Sequence, residues 1–294
     1  PFKHNNIHFG FNCKVSKLIE SDHKIIGCQD TSNNQYLANN IIIASGGFTG
    51  NLAKVKAHWP KHFSPAPNNL LNGTHPSCDG ALHDEVKAIG GNITHMDKMW
   101  NYAAGIPHPF PRFDGHGLSL IPCKSALWLD HSGTRIGPEP LVTGFDTNEL
   151  CRRVCELEKP HTWQVLNWRI AAKEFAISGS ESNAAIRDKK IFKFLKTILF
   201  GNRELVHDML DNSIDFVTAN TLEELVQKMN ALQGTDDVKY ENVKTAVDYY
   251  DDMISRPKKF QNDEQIRRIN HAKQYRGDRV RTCKNQKIVD SKAM

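Results

Sequence analysis

Residues 40–48 read NIIIASGGF, and this stretch decides how the chain is interpreted. Its apolar run, residues 41–44, is short and ends near a pair of glycines, a pattern typical of a parallel strand buried on both faces. Glycine after such a strand allows a sharp turn and a close approach by a ligand. Open α/β sheets bind ligands beyond the carboxyl ends of their strands. A plain tight turn fits the Gly46-Gly47 spacing equally well, so both interpretations stay open.

The flanking sequence predicts a hairpin before this strand and a helix after it. Residues 9–19 mix apolar and polar side chains, residues 21–23 (SDH) favour a turn, and residues 25–29 are expected to pair back. Residues 80–91 predict a helix, because Leu82, Val86 and Ile89 recur on one face and a diglycine ends the pattern.

The second half begins with an irregular stretch and continues as helices. Residues 102–140 are rich in Gly and Pro, with one strand predicted at residues 126–129, and we place a domain boundary here. Thr221 and Glu224 form a capping box at the start of a later helix, and Gly234 follows its end. Three apolar stripes are expected to pack in a core: Leu222, Leu225, Val226, Met229 and Leu232; Val243, Ala246, Val247, Tyr250 and Ile254; and Ile266, Ile269, Ala272 and Tyr275.

Composition and charge exclude several classes of protein. Of 294 residues, 39% are hydrophobic and 24% charged, which is ordinary for a globular protein. The net charge of +5 is scattered, whereas nucleic-acid-binding proteins cluster their basic residues. We therefore predict a small-molecule substrate and no nucleic-acid partner; an anionic cofactor or a plain solvated surface suits this charge. No run approaches about 18 apolar residues, so no membrane span is predicted, and no leader opens the chain at Pro1, so we expect a cytoplasmic protein.

The cysteines and histidines do not predict a metal site. The seven cysteines are odd in number and none forms a C-x-x-C pair, which favours free thiols in the cytosol. Cys151 and Cys155 lie one helical turn apart, but no second pair completes a site. His58 and His62 are also four apart, and Pro60 interrupts the helix that such a pair needs.

Several segments together resemble the fumarate reductase flavoprotein family. Residues 40–48 resemble its strand and diglycine, which usually read IIATGGF; residues 78–80 (CDG) and the following helix resemble its TGDG segment; and residues 127–135 resemble its VVNxxGxRF turn. A bacterial subgroup of FAD-binding, ketosteroid-dehydrogenase-like proteins is more similar still. Its matching stretches follow the same order and spacing: residues 97–102, 125–130, 144–147 (GFDT), 173–180 (KEFAISGS), 219–230 and 275–280 (YRGDRV).

The resemblance implies a fold and a domain organisation. It implies an α/β protein in which residues 1–105 are part of a Rossmann-like FAD-binding domain and residues 106–294 form an α+β capping, or clamp, domain. The family's chains are longer at both ends, with a G-x-G-x-x-G motif that holds the FAD pyrophosphate at a helix N-terminus and a Gly-rich final segment. Neither occurs in these 294 residues. We interpret the chain as a central fragment, a split product or a degenerate copy.

By resemblance the cofactor is FAD, and its contacts fall on residues of the first part: Val15, Ala44, Ser45, Gly46, Gly47 and Asp79. Val15 matches a backbone contact to the adenine end, and residues 44–47 would line the cofactor with backbone. Asp79 matches a cofactor-contacting aspartate. A helix N-cap also explains an aspartate at this position, and the two roles are compatible.

The family's chemistry implies two candidate catalytic residues. A flavin exchanges a hydride with a C–C bond beside an activating carbonyl, here of a small hydrophobic or steroid-like substrate, and the protein supplies an acid or base. Tyr102 falls on a substrate-facing histidine of the reductases, and His116, between two glycines, is the second candidate. An aromatic packed beside Trp100 and a loop histidine without a role are the alternatives.

Dicarboxylate reduction is not predicted. Residues 135–139 (RIGPE) match the start of the reductases' RFxNE motif, in which the proton-donating arginine comes four residues after the glutamate. That position is Thr143, which carries no charge. The alternative to an enzyme is a non-catalytic remnant that keeps the clamp fold and acts as a binding or structural module.

Overall fold

The computed structural model describes residues 6–143, 146–177 and 184–289, which form a mixed fold of helices and sheets. The chain divides into two compact units. The first comprises Pro1–Pro60 and Thr74–Met99, and the second Lys61–Gly73 and Trp100–Met294. Residues 144–145 and 178–180, which carry parts of two family-like stretches, lie outside the described residues. The assignment of 1–105 and 106–294 to a cofactor domain and a capping domain stays a prediction.

The first unit contains a small antiparallel sheet and two helices. Its elements are β1 (Val15–Ser21), β2 (Lys24–Asp30), β3 (Gln35–Leu37), α1 (Leu52–Ala57) and α2 (Ala81–Ala88). The strands lie in the order β1-β2-β3. Asp22 and His23, which join β1 to β2, have φ angles of 51° and 61°, as a two-residue type I′ turn requires. The predicted hairpin and helix are therefore confirmed.

The prediction of a buried strand at residues 41–44 is wrong for this chain. These residues form no strand, and Ile42 is 91% exposed. A strand exists only where a neighbour completes its backbone hydrogen bonds, and no described strand lies beside this stretch. The apolar run is present, but residues 42–44 are exposed and Ile41 is only partly buried.

The second unit contains the remaining elements. Its strands are β4 (Gly105–Pro107), β5 (Gly117–Ile121), β6 (Leu127–Leu129), β7 (Trp163–Val165) and β8 (Ala176–Ile177). Its helices are α3 (Thr147–Cys155), α4 (Trp168–Glu174), α5 (Ala184–Arg187), α6 (Ile191–Phe200), α7 (Arg203–Asn212), α8 (Leu222–Gln233), α9 (Tyr240–Ser255), α10 (Glu264–Ala272) and α11 (Arg276–Arg281), with a short 3-10 helix at Lys258–Phe260. Antiparallel pairs β4-β5, β5-β8 and β6-β7 give two small sheets.

The core of the second unit lies where β6 and β7 meet α8, α9 and α10. The buried residues of the three helices include the predicted stripes: Val226 and Met229; Val243, Ala246, Val247 and Tyr250; and Ile266, Ile269 and Ala272. Thr221 caps α8 by accepting a hydrogen bond from the Glu224 amide at 3.1 Å, and Gly234 ends the helix with φ of 67°. The capping box and all three helices are thus confirmed. Tyr275 is the exception: α10 ends at Ala272, and Tyr275 is exposed.

Three general properties complete the description. No described helix combines the length and the apolar character that crossing a bilayer requires. Within the described ranges, no three His, Cys, Asp or Glu side chains are grouped so as to hold a metal ion.

All seven cysteines are free thiols, and burial raises the pKa of Cys151 to about 12, so that thiol is not reactive near neutral pH.

Candidate functional site

The residues matched to FAD contacts meet at the start of β1 and α2 in the first unit. The Lys14 ammonium, one residue before β1, lies 3.2 Å from the Asp79 carboxylate. The same carboxylate accepts a hydrogen bond of 2.9 Å from the Ala81 amide in the first turn of α2. These two contacts, the backbone one first, lower the pKa of Asp79. Val15 and Asp79 are therefore held near one another, and Asp79 is a fixed anion at neutral pH.

The diglycine segment reaches the same place through Cys78. Gly46 has φ of 83°, and a Cβ on it would lie 3.3 Å from the Cys78 sulfur. The Gly50 amide donates a hydrogen bond of 3.0 Å to the Cys78 carbonyl. Glycine at position 46 is thus required by the backbone itself, as the turn interpretation proposes. Gly47 differs, because a Cβ there would meet nothing within 4 Å.

Residues 44–47 are exposed to solvent. The two glycines among them carry no side chain, which leaves room for a cofactor to approach closely.

Asp79 also has a structural role at the start of α2, although the N-cap is the next residue and not Asp79 itself. The N-cap of α2 is Gly80, with φ of 71° and no side-chain hydrogen bond. A Cβ at position 80 would approach the Phe48 Cβ to 2.5 Å, so glycine is required there. Asp79 instead supplies the acceptor for the first-turn amide from the preceding position. Lys14, its ionic partner, is a residue that sequence reasoning missed, and a lone lysine before a strand gave no signal for it.

Tyr102, in the second unit, has an accessible ring on a fixed backbone. Tyr102 is 48% exposed and Trp100 is 78% exposed, so neither ring is enclosed in the core of the second unit. The neighbouring residues are anchored: the Cys151 thiol donates to the Asn101 carbonyl at 3.4 Å. Ala103 and Ala104 pack against a cluster that includes Trp128.

His116 stands just before β5 and is oriented by its neighbours. Its ring stacks on that of His108 at a centroid distance of 4.2 Å and an angle of 8°. Its Nδ1 accepts a hydrogen bond of 3.2 Å from the Arg112 amide. A neutral imidazole that accepts at Nδ1 carries its proton on Nε2, so His116 has a defined tautomer. His108 was not singled out from the sequence, because the hairpin pairing that places it opposite His116 is not visible there.

The two catalytic candidates are not adjacent. The Leu120 amide bonds the Ala104 carbonyl, and Pro107 pairs with Gly117. Tyr102 therefore lies at one end of the β4–β5 hairpin and His116 at the other. Ala104 and Pro107 are three residue steps apart along the extended chain, or about 10 Å, and Tyr102 and His116 lie beyond these two ends. One substrate could contact both side chains only if it spans at least this length.

Residues 135–139 have a clear structural role. The Arg135 guanidinium contacts both oxygens of Asp263, at 2.6 and 3.2 Å, and the Gln265 side-chain oxygen at 2.8 Å. Asp263 is buried and also caps α10 by accepting from the Ile266 amide. Glu139 pairs with Arg268 at 3.0 Å. The motif thus fastens the loop after β6 to α10.

The overall fold has a counterpart among solved structures. It is similar to that in the crystal structure of 3-ketosteroid delta1-dehydrogenase from Sterolibacterium denitrificans in complex with 1,4-androstadiene-3,17-dione, with a TM-score of 0.55, 14% sequence identity, and coverage of 95% of this chain and 44% of that one. At this identity the likeness concerns the fold alone. It defines the molecule as a mixed helix-and-sheet chain built like part of that dehydrogenase.

The comparison of sequences is more specific than the comparison of folds. The chain is 33% identical over 276 residues to a KsdD-like steroid dehydrogenase of Mycolicibacterium smegmatis, covering 94% of this chain and 49% of the relative. It is 36% identical over 261 residues to KsdD-like steroid dehydrogenases of two Mycobacterium tuberculosis strains. Each match covers 88% of this chain and 46% of the relative. No family model matches. By sequence the chain is similar to the KsdD-like steroid dehydrogenases along almost all of its length, and it spans about half the length of these curated relatives.

Proposed function

We propose that this chain is part of an FAD-dependent oxidoreductase that transfers a hydride between the flavin and a carbonyl-activated C–C bond of a steroid-like ketone. The observation that carries the proposal is the identity of 33–36% with KsdD-like steroid dehydrogenases along almost the whole chain. The fold neighbour, crystallised with a steroid dione, supports the choice of substrate class. Because the chain matches about half of each relative, the activity is assigned to the longer protein.

The first unit offers features that fit one edge of FAD. Residues 44–47 present exposed backbone, and Asp79 is an oriented carboxylate that can accept hydrogen bonds from hydroxyl groups. Val15 follows Lys14, whose ammonium holds that carboxylate. We assign cofactor contacts to Val15, to residues 44–47 and to Asp79. When bound, FAD supplies the hydride chemistry at the C–C bond, which no side chain of this chain can provide.

The second unit supplies the candidate proton-handling groups. The exposed Tyr102 hydroxyl can donate a hydrogen bond to a ketone oxygen, which draws electron density from the neighbouring carbons and makes their hydrogens easier to remove. His116 can donate from Nε2 in its assigned tautomer. Tyr102 is the stronger candidate, because its ring is more accessible and its flanking residues are fixed.

The alternative is a non-catalytic remnant that retains the fold. These 294 residues contain no G-x-G-x-x-G motif, which normally holds the pyrophosphate of FAD, and the two possibilities differ in whether the longer protein contains one. The flanking coding sequence separates the two possibilities. An upstream G-x-G-x-x-G motif and a downstream Gly-rich segment would support the enzyme, and stop codons on both sides would support the remnant.

Tyr102→Phe in the longer protein tests the assignment. The substitution keeps the ring and removes the hydroxyl, so turnover of a 3-ketosteroid with an artificial electron acceptor is expected to fall by about 100- to 10,000-fold. Flavin content and melting temperature should hardly change. Tyr249→Phe is the matched control, because the Tyr249 side chain is exposed to nearly the same extent, 47%. Turnover within a few-fold of the parent would remove Tyr102 from the mechanism and direct the test to His116.

A further inference from the structure

A basic cleft lies in the second unit, away from Tyr102 and His116 in the sequence. Its volume is about 750 Å³, within the range of about 300–1,000 Å³ typical of small-molecule sites. Three segments form its walls: α4, the junction of α6 with α7, and the chain from Arg279 to Gln286. The third segment includes Arg279 and Val280, the last two residues of the YRGDRV stretch. The proposed oxidoreductase chemistry assigns no role to this stretch.

The walls are fastened together by specific contacts. The Glu174 carboxylate, at the end of α4, accepts hydrogen bonds from the Ser125 hydroxyl at 2.7 Å and the Cys283 amide at 2.7 Å. The Asn202 amide donates to the Ala172 carbonyl at 2.6 Å. Gly201 makes this approach possible, because a Cβ there would lie 2.5 Å from the same carbonyl oxygen. The cleft therefore has a preformed shape.

The lining carries five basic side chains and no carboxylate: Arg169, Lys173, Arg203, Arg279 and Lys284. Among the described residues, the hydrogen bonds of Lys173 and Arg279 go to neutral backbone carbonyls, those of Lys173 to Ile198 and Leu199 and those of Arg279 to Lys273 and Gln274. Neither Arg203 nor Lys284 forms an ion pair with any residue that the structure describes. Apart from Arg169, the basic side chains of the cleft thus have no described carboxylate partner, and their mutual repulsion favours a bound anion.

The neighbouring acidic side chains are already engaged elsewhere. Glu174 holds Ser125 and Cys283, Asp278 pairs with Lys124 at 3.0 Å, and Glu204 lies 3.5 Å from the Lys193 ammonium. Within the described part of the chain, the buried Gln286 side-chain nitrogen, in the same wall, has no acceptor. A ligand oxygen would satisfy this donor, which is otherwise costly to leave unpaired.

The cleft also has an aromatic part. Trp168 and Phe200 line it, and the Trp168 ring contacts that of His207 at a centroid distance of 4.6 Å. An indole face can stack on a flat ring. The first residue of α7 is Arg203, so the positive end of that ten-residue helix meets the same wall. Guanidinium groups and a helix N-terminus are the usual partners of phosphate.

We propose that this cleft binds a phosphate-bearing ligand with a flat aromatic ring, that is, a nucleotide. The phosphates lie against Arg203, Arg279 and Lys284, and the ring lies against Trp168. The site belongs to the second unit, whereas the residues assigned to FAD belong to the first. Binding of a nucleotide in this cleft does not require that the protein catalyses the proposed oxidoreductase reaction.

Calorimetric titration of the longer, flavin-loaded protein with ADP, inorganic pyrophosphate and adenosine tests the site. ADP is expected to bind more tightly than pyrophosphate, and adenosine should give no saturation at about 1 mM. Affinity for ADP should fall as salt is raised, because the contacts are ionic. No saturation by ADP, or equal affinity for adenosine and ADP, would overturn the proposal.

Charge variants locate the binding. Arg203→Glu and Lys284→Glu should each weaken ADP binding by about 10-fold or more, since each replaces an attraction by a repulsion. Lys61→Glu makes the same charge change at another exposed position of the second unit and should alter the Kd less than about twofold, as screened charges do. Arg203→Lys keeps the charge, and we expect it to retain most of the affinity. Equal binding by all four variants would place ADP elsewhere and contradict the proposal, whether or not steroid turnover is observed.

Discussion

Residues 41–44 and the buried stripe of helix α9 are both apolar, but they are placed in opposite environments. Ile42 is 91% exposed, whereas Val243 in α9 is fully buried. A helix completes its hydrogen bonds within its own segment, and its stripe needs one packing surface. A central strand needs a hydrogen-bonded neighbour on each side and cover on both faces. The late helices therefore have their hydrogen bonds and their packing surface within this chain, whereas residues 41–44 lack the neighbouring strands that a buried strand needs.

This difference indicates which of the two units of this chain contains all the packing partners that it needs. The second unit has its own core and its own buried ion pair. The first has a three-stranded sheet and an apolar run without partners. We infer that the longer protein supplies the strands that cover residues 41–44.

The largest effect should come from the buried pair of the second unit. Arg135→Met would leave the Asp263 carboxylate, 4% exposed, without its cation, and breaking such a pair costs about 3–5 kcal/mol. Urea denaturation of the 294-residue chain measures the loss. Arg152→Met removes an arginine from the partly exposed Glu149 pair, where about 0–1 kcal/mol is expected. Similar losses for both variants would show that Asp263 is not buried as described.

Truncation of matched isoleucines compares the two regions directly. Ile266→Ala removes a side chain that is 1% exposed and should lower the free energy of unfolding by about 2–5 kcal/mol. Ile42→Ala in the same chain should change it by no more than about 0.5 kcal/mol. In the longer protein, Ile42→Ala should become as costly as Ile266→Ala. If Ile42→Ala is neutral there too, the strand is not completed.

The smallest effect concerns a single cap. Thr221→Ala removes the acceptor for the Glu224 amide at the start of α8 and should cost about 1 kcal/mol. Thr221→Ser keeps the hydroxyl and should retain most of the stability. A loss for Ser equal to that for Ala would mean that the methyl group, rather than the hydrogen bond, stabilises the helix start.

Local structure was predictable where local sequence determines it. The β1–β2 hairpin, α2, the capping box of α8 and the stripes of α8 to α10 follow from turn residues and helical periodicity. Other contacts join residues far apart in sequence, such as Lys14 with Asp79 at the candidate site and Arg135 with Asp263 in the core of the second unit, so spacing could not reveal them. Residues 41–44 fit a strand by composition, but composition does not say whether neighbouring strands are present in the same chain.

Flavin content is the most direct test of the central claim, that this chain forms part of an FAD site which it does not complete. The 294-residue chain and the chain extended by its flanking coding sequence are purified in parallel, and bound flavin per protein is measured by visible absorbance. The account predicts one flavin per extended protein and little or none on the 294-residue chain. Stoichiometric flavin on the 294-residue chain, or none on the extended protein, would contradict it.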